Sequence, residues 1–138
     1  MRRRRARSPA EDAAAESFAE RWPLGLRRRG RALVIAGADL AHIGPRFGDA
    51  RPLDEAQRRA LAERDHESVQ RATGGDARAF FSHVVQDLDT RRVCGVGPIY
   101  TLLRTLPAGA SGRRLGYSQC VDPKEGSVVS HASLGFYA

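Results

Sequence analysis

Six consecutive apolar residues, LVIAGA at Leu33–Ala38, leave no polar side chain to turn toward water. A run this short, rich in β-branched residues and without alternation, predicts a strand buried on both faces. A strand of that kind needs layers on either side of it. With the helices and closing hairpin read below, the chain is expected to be an α/β domain. Its 138 residues suit one domain with one core.

The residues that follow the run narrow the chemistry. Asp39 is the first polar residue after it, so it falls at the strand's end, where open α/β sheets gather ligands. If the chain turns helically there, Asp39 and His42 stand at i and i+3 on one face. A carboxylate and an imidazole so placed could ligate a metal, and this pairing suits non-haem iron. They could instead act as a catalytic pair, the acid fixing the tautomer of a histidine general base. The plainer reading makes Asp39 a helix cap and His42 a turn residue. Gly44 and Gly48 would let something bound nearby approach the backbone.

The rest of the chain reads as helices and a hairpin. Glu11–Trp22 predicts a short helix with Phe18 and Trp22 on one face, ended by Pro23. A second helix starts near Pro52, carries Leu53, Ala60, Leu61 and Val69, and stops at Gly74-Gly75. Asp76 caps the next, whose core stripe is Phe80, Val84 and Leu88. Another opens at Pro98, with Ile99, Leu102, Leu103 and Leu106 on one stripe before Pro107. Two strands close the chain. RRLGYSQCV meets SVVSHASLGFY through a turn at Asp122–Gly126, with Val128, Ala132, Leu134 and Phe136 on one side of the second strand.

Charge excludes more than it suggests. The net charge is +7, but residues 1–31 hold ten arginines against four acids, and the remainder holds thirteen bases against twelve acids. Basicity thus belongs to an arm, RRRRAR, with residues 1–10 expected to be disordered and 11–30 to form a short helix and linker. Arginine supplies every base except Lys124, a bias that points to genome composition rather than phosphate recognition. No interleaved aromatics or recognition motif follow, so no specific nucleic-acid partner is expected. No run reaches the roughly 20 apolar residues of a membrane span, and no apolar core follows the basic start as in a secretory signal. Two cysteines without a CxxC spacing give no disulfide framework, and a cytoplasmic setting is expected.

Three blocks, GADLAHIGPRFGD, RRVCGVGPIYTLLRTL and YSQCVDPKEGSVVSHASLGFY, together resemble the C-terminal half of the Memo family. The bacterial branch called AmmeMemoRadiSam system protein B is most similar, and the resemblance runs from about Arg31 to Ala138. It implies a fold like the catalytic subunit of class III extradiol dioxygenases, a central sheet flanked by helices, with a cleft holding non-haem iron or copper mainly through histidines. By position it implies a cleft role for His42 and Asp39, as catalytic residues and metal ligands, with Cys120 as a third ligand at the rim. Cys94 falls at a position that reads as a small buried structural thiol. His131 reads as a strand residue, and His66 and His83 as solvated helix residues. The family's first half, with further histidines, has no counterpart in residues 1–30, so 31–138 is expected to be the C-terminal half of a Memo-like domain. That implies a missing N-terminal half or a partner chain, and a radical-SAM protein encoded nearby. Two functions follow: a dioxygenase-like or other redox protein when complete, or a scaffold that keeps the fold without turnover.

Overall fold

The computed structural model describes residues 17, 20, 21, 33–88 and 90–137. The basic arm lies outside these residues. So does most of the expected first helix, of which Ser17, Glu20 and Arg21 are helical.

Among the described residues from 33 onward, three helices and a three-stranded antiparallel sheet make an α/β fold. In chain order these are β1 (His42–Ile43), a 3-10 turn (Pro45–Phe47), α1 (Glu55–Thr73), α2 (Ala77–Val85), α3 (Val96–Thr105), β2 (Gly112–Val121) and β3 (Val128–Phe136). The sheet runs β1-β3-β2, so β3 is central. Asp122 builds the hairpin turn by accepting from the Lys124 amide through its side chain, at 2.8 Å. A bulge at Leu115 interrupts the ladder between Arg114 and Gly116.

The helices start and stop for local reasons. Asp54 and Gln57 form a reciprocal capping box on α1, at 2.8 and 2.9 Å. Asp76 caps α2 by accepting from the Ala79 amide at 2.9 Å. α3 opens at Val96, two residues before Pro98, because a first-turn proline gives up an amide that no helix bond uses. Leu40, Val69, Phe80, Val84, Val93, Tyr100 and Leu103 form the main core, against which Tyr117, Ala132, Leu134 and Phe136 of the hairpin pack. The expected inner face of β3 is therefore the real one. Among the described residues, no helix is long and apolar enough to cross a membrane.

Three expectations fail. LVIAGA is not a buried strand: no regular strand is formed over residues 33–41, and Leu33 and Ile35 are 85% and 78% exposed. Exposure alternates along residues 33–39, as successive side chains of an extended chain point to opposite sides, and among the described residues nothing hydrogen-bonds to the backbone of 33–38. Pairing begins only where Leu40 donates to Ser130 and Ser130 to Ala41, at 2.8 and 3.0 Å. Leu88 leaves the core stripe because α2 ends at Val85, and it stands exposed at a positive φ of 52°. His83 is buried rather than solvated.

His83 belongs to a buried polar network centred on Arg91. Arg91 donates to Asp65 Oδ1 at 2.8 Å, to Ser68 Oγ at 3.2 Å and to Asp87 Oδ2. Ser68 Oγ reaches His83 Nδ1 at 3.0 Å, and His83 Nε2 meets Glu67 Oε2 at 2.7 Å. That last bond holds the Glu67 carboxyl below its ordinary range. Tyr117 closes the other side by donating to Asp65 Oδ2 at 3.0 Å. Burial beside that carboxylate pushes the phenol up to about 12.

Asp65 is fully buried, so its removal leaves Arg91 short of a charge partner inside the core. Asp65→Ala should cost about 3–5 kcal/mol in a denaturant melt. Ser133→Ala, on the exposed outer face, should stay within about 0.5 kcal/mol. Equal losses would show that the network does not hold the helices together.

Candidate metal centre

His42 sits where β1 is gripped from both sides. Register places it opposite Val129 of β3, and its amide donates to the Arg91 carbonyl at 2.8 Å. Its ring Nδ1 lies 3.2 Å from the Arg92 carbonyl. A carbonyl only accepts, so in the neutral ring Nδ1 carries the proton and Nε2 keeps its lone pair. The ring also stands edge-on to Phe47, with centroids 5.1 Å apart. Its orientation is thus fixed by the backbone on one side and an aromatic on the other.

Nε2 faces Asp39 Oδ2 at 3.8 Å, although no helical turn brings the two together. The chain here is extended, and the pair meets at its exposed edge, where Asp39 is about half accessible and His42 about a fifth. Cys94 completes the group. Its thiol donates to the Asp39 carbonyl oxygen at 3.6 Å, and one ligand atom each from Asp39, His42 and Cys94 lie within 4.8 Å of one another. An imidazole lone pair, a carboxylate and a sulfur thus lie close enough together to share one cation. Metal–ligand bonds of about 2.0–2.3 Å in a tetrahedron would set neighbouring donors roughly 3.3–3.8 Å apart. The residues therefore fit a metal ion after a small closure, with at least one position left for water.

Cys94 was expected to be a buried structural thiol and is exposed in the site. The burial pattern of Arg91-Arg92-Val93-Cys94 explains this. Arg91 and Val93 point into the core, Arg92 and Cys94 toward the surface. Cys120 is exposed on β2 opposite Val129, which is also the partner of His42. It shares the face of His42 but stands two strands away, roughly 10 Å, outside the clustered donors. His131 is an exposed strand residue opposite Ser118, and His66 is exposed against the Tyr117 ring.

The loop after β1 supports the centre. At Gly44, with φ 122°, a side-chain carbon would lie 2.6 Å from Ser127 Cα. What approaches this glycine is Ser127, at the end of the hairpin turn. Asp49 accepts from the Gly44 amide at 2.7 Å and takes both arms of Arg92, at 2.7 and 2.9 Å. The Arg92 bonds, and then the Gly44 amide, hold the Asp49 carboxyl below its ordinary range.

A family model described as Memo-like protein matches residues 11–135, beginning upstream of the three blocks quoted above. No curated protein matches the sequence.

Because the folded state depresses the Asp49 pKa, its contribution to stability is fully present above about pH 3.8 and is lost as pH falls below it. Urea melts from neutral to acid pH should show this loss, and Asp49→Asn should flatten that part of the profile. An unchanged profile in the variant would mean the clamp adds no acid sensitivity.

Proposed function

Because the chain belongs to the Memo-like protein family, we propose that Asp39, His42 and Cys94 hold a redox-active transition metal, iron or copper. The observation that carries this reading is the convergence of three unlike donors around a histidine whose tautomer leaves Nε2 free. The bound metal would supply one-electron redox chemistry, of a dioxygenase-like kind. His42 and Cys94 bind, and Asp39 binds or holds the water that fills the open position. Cys120 sits at the rim of the same face.

The donor set favours copper over iron. One histidine, one carboxylate and one thiolate is not the two-histidine, one-carboxylate triad of non-haem iron oxygenases, and a soft thiolate suits Cu(I). The same departure favours a second reading, in which the protein binds metal as a scaffold without turnover. Oxygen consumption by the copper-loaded protein separates the two.

The reading includes a partner. Leu33 and Ile35 are exposed in an extended stretch beside the site that pairs with no strand among the described residues, and such an edge invites another strand. A partner chain or further segment of the family's fold laid there would cover them and bring more ligands to the cleft.

Anaerobic Cu(I) titration of the purified chain should give up to one ion per chain. His42→Ala should abolish uptake, and Cys94→Ser should weaken it by at least the 10–100-fold typical of losing an outer-shell support. Cys120→Ser should bind as the parent does. Uptake unaffected by His42→Ala sinks the proposal.

A further inference from the structure

The metal donors account for neither Asp49 nor Arg92, yet both are bound to the surroundings of His42 more closely than a surface ion pair requires. Arg92 touches His42 twice. Its carbonyl takes the Nδ1 proton, and its guanidinium donates to the His42 carbonyl at 3.2 Å. It does so from a left-handed backbone with φ 47°, a conformation that non-glycine residues keep only where neighbours enforce it. The enforcing neighbour with the best geometry is Asp49, which receives a two-armed fork from the guanidinium.

Asp49 controls the opposite flank of the ring as well. Its carboxylate accepts from the Gly44 amide, and its own amide donates back to the Gly44 carbonyl at 3.2 Å. Those reciprocal bonds close residues 44–49 into a tight loop, inside which the Phe47 amide donates to Gly44 at 2.9 Å. Closing the loop puts the Phe47 ring edge-on to His42. One carboxylate thus fixes both the carbonyl that sets the tautomer and the aromatic that sets the tilt.

We propose that Asp49 is the positioning residue of this site, holding His42 ready to bind through Arg92 on one side and Phe47 on the other. The proposal rests on the reading of His42 as a ligand but makes a separate claim about the ring. Asp49→Asn keeps an acceptor for Gly44, and with it the loop that seats Phe47, but breaks the fork, so the tautomer should loosen while the tilt is kept.

The test uses signs. If Asp49 acted only through charge, Asp49→Asn would weaken a cation's binding and Arg92→Gln would strengthen it. If the clamp positions the ring, both weaken it, by up to about 10-fold, the lower end of what outer-shell losses cost. Co2+ is the probe, because its visible spectrum reports the thiolate and the site geometry along with affinity. Asp76→Ala, which removes the α2 cap and touches none of these groups, is the structural control: it should lower the melting temperature and leave Co2+ affinity unchanged. A second readout needs no metal. In 15N-histidine spectra, recorded well above the ordinary imidazole pKa of about 6.5, His42 should show the Nδ1–H tautomer in the parent and a mixture in Asp49→Asn and Phe47→Leu. Opposite signs for the two charge variants, or an unchanged tautomer in Asp49→Asn, overturn the proposal. Absence of Co2+ binding in the parent sinks the metal reading alone, and the tautomer then decides the positioning claim.

Discussion

The guanidinium of Arg91 is buried, and the fold is arranged to satisfy it. A buried cation without partners is among the costliest things a core can hold, so α1 must present Asp65 and Ser68 to it while the turn after α2 presents Asp87. Once those contacts exist, the backbone at Arg91 has a fixed position. That position is what β1 uses, since the Arg91 carbonyl accepts the His42 amide. The polar network in the core and the exposed donors at the sheet edge are therefore mechanically one structure.

Four residues carry the connection. Along Arg91–Cys94, alternate side chains enter the core and leave it. Arg91 and Val93 lock the segment to the helices; Arg92 and Cys94 face the edge of β1 where Asp39 and His42 emerge. Rigid backbone beneath an exposed cluster of donors is the usual way a binding site gains precision without burying charge. The exposure of the donors leaves room for a water, a substrate atom or a further ligand at the open position.

Much of this was written into local sequence. The caps at Asp76 and Gly74, the hairpin turn at Asp122–Gly126 and the inward face of β3 follow from short-range rules, and they form as those rules require. His83, expected to be solvated, had a local signal for burial, since Phe80, His83 and Val84 stand at i, i+3 and i+4 on the helix face that enters the core. Two features were not legible. The burial of LVIAGA depends on strands lying beside it, and composition cannot say whether such neighbours exist. Cys94 lies far along the chain from Asp39, and only the turn after α2, with Arg92 at positive φ, returns it to the site. The Asp39–His42 pairing was anticipated through a helical turn, yet it arises from an extended chain.

The central claim is that Asp39, His42 and Cys94 share one metal ion, and X-ray absorption at the edge of the bound metal tests it most directly. The account predicts a mixed shell with a single sulfur at about 2.3 Å and nitrogen or oxygen neighbours near 2.0–2.2 Å. Cys94→Ser should remove that sulfur, and Cys120→Ser should keep it. A shell without sulfur, or a sulfur that survives Cys94→Ser, would contradict the account.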